Sequence, residues 1–448
     1  MRAWTSALTA LLLVAAASPS AAQVLERPPR STGGLFGGRR PADPNRTSQE
    51  LMLTIDLLGG YDDNLAVEGQ NVIGDPFAAP RSGYVGTASA ALDYWRGRSS
   101  RSWSTVGRAY ANNYSGHAAL AGGDAQADLF LQMGRRASVA AAVTAAYHPT
   151  FLFGAFGPVV DQVEGGVVPE AGGTEGVTRQ RWFEGQTSAD FGMAWNSRHQ
   201  STLTYRFSRF RPVGEGAGGF GLESRHHEAS LAHAWSVSRS NSLTVQYRYL
   251  DQETMHTLVG AVPLVSHTLQ AGLAFTRRMS PTRTIAIAFA GGATRSRTIS
   301  EFERRPYEFV SPSVQASLRV DVGRTWAVSA DVHRDVTRLD GLAPQPFVSE
   351  VGALRAGGRL GSRLEVAVSG AFSRGLSHQD QFGSFEGLMG AAQMSYSLGN
   401  CCSLLAGYSY YRHLLRDVPV ALSSFPASYD RNAVRVGLTM AIPLYGSF

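Results

Sequence analysis

From Leu51 onward the chain runs in segments of about ten to fourteen residues in which apolar side chains alternate with small or polar ones, the period of two that sends successive side chains to opposite faces of a strand. The last segment is the clearest. Val434, Val436, Leu438, Met440, Ile442, Leu444 and Phe448 share one face, and Arg435, Gly437, Thr439 and Ala441 the other. The first repeats it, with Leu51, Leu53, Ile55 and Leu57 against Thr54 and Asp56. Between them, Leu203, Tyr205 and Phe207 oppose Thr202, Thr204 and Arg206, while Val314, Ala316, Leu318 and Val320 oppose Gln315, Ser317, Arg319 and Asp321. One greasy and one polar face on every strand predicts an all-β fold.

The connections alternate in length. Short turns are expected at Arg96–Ser102, Gly134–Arg136, Asn196–Gln200, Ser238–Asn241, Ser280–Arg283, Gly323–Thr325, Gly361–Arg363 and Gly399–Cys402. Longer loops are expected at Asp62–Pro80, Ser115–Gly123, Thr150–Gly176, Arg211–Gly221, Asp251–Val262, Arg297–Arg305, Arg338–Pro346, Leu376–Gly383 and Leu415–Ser428. Eight short and nine long connections imply 18 strands with both chain ends on one side. That is a transmembrane antiparallel up-and-down β-barrel, whose short turns lie in the periplasm and long loops outside; a soluble sandwich has no reason to alternate this way.

The N-terminus agrees with such a destination. Arg2, the apolar run Ala7–Ala17 and the small residues Ser20-Ala21-Ala22 before Gln23 read as an export signal over residues 1–22. Its apolar core is about half the roughly twenty residues that a spanning helix needs, and no later stretch reaches that length. Residues 23–48, rich in Pro, Gly and Arg, read as a flexible periplasmic leader, and 49–448 as the barrel. Without a cysteine after the cleavage site there is no lipid attachment point, so Sec export to the outer membrane of a Gram-negative bacterium is the expected route. Outer-membrane lipid and the barrel-assembly machinery are then the expected partners. The terminal strand, Leu438, Met440, Ile442 and Leu444 ending in Phe448, is the expected insertion signal. Trp95, Trp103, Trp195, Trp235 and Trp326 all lie at or near short turns, as expected of an aromatic belt at headgroup level.

Composition excludes more than it assigns. All 41 basic residues are Arg, and the net charge of +6 is spread along the chain, so no nucleic-acid stripe is present. The two cysteines, Cys401 and Cys402, are adjacent, which rules out a long-range disulfide framework and fits a tight turn. No catalytic, cofactor or metal motif stands out. His226 and His227 are strand neighbours with side chains on opposite faces, so they cannot chelate one ion together. His233, on an apolar face beside Leu231 and Trp235, is the one candidate for a lipid-facing Ser–His hydrolase; the plainer reading is an interfacial histidine. No enzymatic activity is expected.

Alternation also assigns the interior. Asp56, Asp93, Asp124, Asp128 and Asp190 face inward on the first six strands. Arg206, Arg248, Arg319, Arg355, Arg359 and Arg435 do so on the other twelve, with Glu228, Asp321, Asp331 and Glu365 among them. These charges line an aqueous path or pair with one another, since a dry charge is expensive. The loop Thr150–Gly176, with Phe151, Phe153 and Phe156, could fold inward as a constriction or cap the mouth.

At Gly60-Tyr61-Asp62-Asp63-Asn64-Leu65 the first strand runs into its loop with a cluster of oxygen-bearing side chains. By themselves these residues suit an Asx-type turn, or a calcium site if other ligands join them. Here the chain resembles the outer-membrane β-barrel porin family found beside exopolysaccharide export genes. The resemblance implies a barrel that passes, or helps to pass, a polysaccharide across the outer membrane, with that glycan or its export apparatus as partner. Two classes of function therefore stand: a channel, for polysaccharide export or for passive passage of polar or anionic solutes, and a structural or surface-interaction barrel with a filled lumen.

Overall fold

The computed structural model describes residues 48–63, 82–98, 100–114, 119–148, 181–213, 223–256, 260–299, 305–323, 325–338, 346–377, 383–399, 401–416 and 428–447. The expected export signal and most of the leader, Asn64 and Leu65, the expected Thr150–Gly176 loop and Phe448 lie outside them. The elements are β1 (Ser48–Asp62), β2 (Gly83–Arg98), β3 (Arg101–Tyr114), β4 (Leu120–Met133), β5 (Ala137–His148), β6 (Trp182–Ala194), β7 (His199–Pro212), β8 (Glu223–Ser236) and β9 (Asn241–His256). They continue with β10 (Gly260–Ser280), β11 (Arg283–Ile299), β12 (Pro306–Val322), β13 (Trp326–Thr337), β14 (Phe347–Leu360), β15 (Leu364–Ser377), β16 (Ser384–Ser397), β17 (Cys402–Arg416) and β18 (Ser428–Ser447).

Every strand pairs antiparallel with its sequence neighbours, and β1 pairs with β18, so the 18 strands form a closed barrel with no free sheet edge along most of its height. The Gln49↔Ser447 pair puts both strand ends on the short-turn rim. Three of those turns hold a glycine at positive φ, Gly134, Gly323 and Gly361, as tight hairpins with one left-handed residue require.

The alternation read from the sequence is the alternation of the wall. Outward residues such as Leu57, Leu203, Leu231, Val245, Leu269, Leu354 and Val436 are each about half exposed, and they run in register from strand to strand. A continuous apolar surface around a closed wall is unstable in water and belongs in hydrocarbon. Trp103, Trp195 and Trp235 point outward at the short-turn rim as expected, but Trp95 is 6% exposed and faces the lumen, on the same side of β2 as Asp93.

Two other departures have local causes. Asp251–Val262 is not a long loop: β9 runs on to His256 and β10 starts at Gly260. Gln252 and Thr254 are buried inward there while Asp251 and Glu253 alternate with them on the other face, so polar residues on both faces hid a regular strand. In β18, Met52 pairs with Pro443 and Leu51 with Tyr445, which leaves Leu444 as the extra residue of a bulge. Pro443 brings no N–H to the ladder, a common reason for such an irregularity.

Candidate functional site

The lumen changes character along its axis. In its middle the inward side chains are mostly charged or small and many keep partial exposure, while Trp95 and Phe130 are buried nearer the short turns; toward the long-loop rim aromatic and hydroxylic side chains are buried together with a few charged ones.

In the charged zone most of these arginines have carboxylate neighbours. Arg206 lies 3.6 Å from Glu228, Arg319 3.1 Å from Asp321 and Arg359 3.9 Å from Glu365. Arg248 pairs with Asp335, a residue not singled out from the sequence, and Arg355 interacts with Asp331. Arg435 differs: its Nε and Nη2 are buried without a hydrogen-bond partner among the described residues. On the first six strands Asp124 pairs with Arg108 at 2.9 Å, but Asp56, Asp128 and Asp190 accept from neutral donors. Ser89 reaches Asp56 at 2.8 Å, Ser104 and Gln126 reach Asp128, and Thr204 reaches Asp190 at 2.6 Å.

Near the long-loop rim an aromatic collar faces inward. Tyr110, Tyr114, Trp182, Phe309, Phe347, Phe385, Tyr411 and Tyr429 are all buried. Neighbouring rings touch: Trp182 packs on Phe210, Tyr307 on Phe309, Phe347 edge-on to Phe385, and His413 stacks on Tyr429 at 5.7 Å. Sequence alternation could have found this collar, since every ring sits at an inward position near a long loop.

One side of the mouth is held by a latch. β12 and β13 pair only from Val322↔Trp326 to Val314↔Arg334. Above that point β12 continues with β11 alone, up to Ile299↔Pro306, and β13 continues with β14 alone, up to Thr337↔Phe347. Pro312, just above the last pair, has no N–H to offer. The freed tip of β13 packs against the inner wall: Val336 clusters with Leu264 and Phe309, and Asp335 accepts from Thr294 at 2.8 Å while pairing with Arg248. Arg338 then donates to the carbonyls of Val262 (2.7 Å) and Pro263 (2.9 Å) and to Thr298 Oγ1 (3.0 Å). With a further bond to the Gln252 carbonyl at 3.3 Å, this buried guanidinium ties strands nine to eleven to the end of β13.

The described part of the Gly60–Leu65 cluster, Gly60 to Asp63, sits at the barrel seam. Asp62 is fully buried and grips Arg431 of β18 through both oxygens, while Asp63 accepts from the backbone N–H and side-chain amide of Asn432, each at 2.6 Å. The two aspartates thus bind across the seam; the loop that an Asx-type turn would close lies outside the described residues. Gly60 fits because a Cβ there would strike the Val434 carbonyl, and Tyr61 points outward, edge-on to Tyr84 at 5.7 Å. Among the described residues no group of three or more His, Cys, Asp or Glu is arranged to hold a metal.

On the outer face His233 does meet a serine. Ser201 Oγ lies 2.9 Å from its Nδ1, His199 Nδ1 lies 3.2 Å from its Nε2, and Trp195 Nε1 donates to Ser201 at 2.9 Å. Trp235 stacks on His199, so the group is a hydrogen-bonded part of the aromatic belt. The backbones of Ser201 and His233 are paired with each other in the sheet. His226 and His227 face opposite ways, the first to Ser224 and Gln252, the second to Tyr205.

No family model and no curated protein sequence matches the chain. Among solved structures it is similar to OccK11 (OpdR) of Pseudomonas aeruginosa, at 13% identity over 89% of this chain and 96% of that one, with a TM-score of 0.42. It is also similar to OpdL of the same organism (10% identity, 89% and 99% covered, TM-score 0.44). OccK2 (OpdF), again of P. aeruginosa and solved in complex with glucuronate, gives 10% identity, 89% and 98% coverage and a TM-score of 0.43. At such identities the likeness is one of barrel architecture.

Proposed function

We propose that the protein is an outer-membrane channel for carbohydrate, exported as polysaccharide or passing as smaller polar solutes, with a mouth that the β13 latch narrows. The observation that carries this reading is the change from a charged, partly exposed middle of the lumen to an inward aromatic collar near the long-loop rim. Aromatic faces suit the C–H faces of a sugar ring, and carboxylates and guanidinium forks suit its hydroxyls and any acidic substituent. The apolar outer wall supports the membrane setting, and the shared rim of both strand ends and the short turns supports a periplasmic placing of that rim.

The buried collar also favours the second reading, a barrel whose lumen is filled, and planar-bilayer recordings separate the two. Wild-type protein is expected to conduct in small steps, and Arg338→Ser, which frees the latch, to conduct in larger ones that a soluble oligosaccharide blocks. Because Arg206, Arg248, Arg319 and Arg359 are matched by carboxylates while Asp56, Asp128 and Asp190 rest on neutral donors, the expected ion preference is weakly cationic. It should grow as salt falls and the Debye length rises above about 10 Å. A strong anion preference would show that the arginines are not neutralised in the open lumen. No conductance from either protein would leave the filled barrel as the better account.

A further inference from the structure

Cys401 and Cys402 lie where β16 turns into β17, and Cys401 is exposed. Their Sγ atoms are 2.9 Å apart, between a disulfide bond of about 2.05 Å and the contact of two separate thiols. The turn holds them there: Leu398 N–H donates to the Cys402 carbonyl at 3.0 Å, and Ala441 N–H to the Cys401 carbonyl at 2.8 Å. They are the only cysteines in the chain, so neither has another partner within it.

We propose that this pair is a redox modification site, a vicinal dithiol that closes reversibly into a disulfide ring between adjacent residues when a small-molecule or protein disulfide serves as oxidant. The Cys401 thiolate attacks one sulfur of the oxidant, forms a mixed disulfide and expels the first thiolate. The Cys402 thiolate then attacks the Cys401 sulfur, closes the ring and expels the second. The two expelled thiolates take up the two protons, so the protein loses two hydrogens and the oxidant is reduced to two thiols. Adjacent Cα atoms are about 3.8 Å apart, below the usual disulfide span of about 4.4 to 6.8 Å, so the ring is strained and easily reopened. The chemistry does not depend on the channel reading; only its periplasmic setting, an oxidising one, does.

The test uses the full-length barrel purified in detergent, reduced, then exposed to oxidised glutathione and analysed by intact mass and thiol titration. The expected product is a monomer lighter by two hydrogens with no titratable thiol, and reductant should restore both thiols. Cys402→Ser should stop at the first step and carry one glutathione on Cys401. Two thiols that persist in the wild type, a glutathione adduct that stays on it, disulfide-linked dimers, or an unreactive Cys401 in the Cys402→Ser protein would each overturn the proposal.

Discussion

Asp62→Asn is expected to destabilise the barrel by about 3–5 kcal/mol, the usual cost of leaving one member of a buried ion pair without its partner. Arg431 is 3% exposed and Asp62 not at all, and the carboxylate takes the guanidinium through both oxygens. An asparagine can accept one of those bonds but cannot balance the charge, so a cation would remain in a site with little water. The check is the urea midpoint of the detergent-folded protein, with heat-modifiable gel migration as the report of a closed barrel. A double replacement, Asp62→Leu with Arg431→Leu, should recover much of the loss, because it removes both charges at once. An unchanged midpoint for Asp62→Asn would mean that the seam is held by its backbone ladder alone.

Leu438→Arg is expected to cost about 2–4 kcal/mol in a bilayer and Thr439→Arg far less. Leu438 lies between Leu57 and Leu404 on the outer face, where a guanidinium would meet hydrocarbon. Thr439 lies between Asp56 and Ser403 on the inner face, where the new charge would find both water and a carboxylate. Folding titrations of the two variants into lipid vesicles compare them directly. Equal losses would show that the apolar face of β18 is not the one that meets lipid.

The strand count, the alternating connections and the inward charges were legible because each depends on neighbours along the chain: a period of two, a glycine in a tight turn, an aspartate between apolar residues. The features that failed depend on which face a residue takes after an irregularity, or on strands distant in sequence. Trp95 had the address of a belt residue, yet its parity on β2 turns it inward. Asp251 and Glu253 looked like loop residues because charged side chains occupy a strand face where apolar ones stand lower down. The latch could not be read at all, since Arg338 reaches carbonyls about 75 residues earlier and Asp335 meets Arg248 with three strands between them. The Asp62-Asp63 cluster was visible as chemistry, but its partners, Arg431 and Asn432, lie 369 residues away.

That separation bears on how the molecule is assembled. Seventeen of the wall's interfaces join consecutive strands and can form as local hairpins, while the β1–β18 interface joins the two ends of the sheet. Closing so long a loop costs chain entropy, though each doubling of length adds only about 0.6 kcal/mol; the greater difficulty is that the ends must first find each other. Until they do, the growing sheet carries two open edges, each a template for pairing with a second chain. The buried Asp62–Arg431 pair therefore belongs to the last act of folding, and any catalyst of assembly must shelter both edges until those two side chains meet.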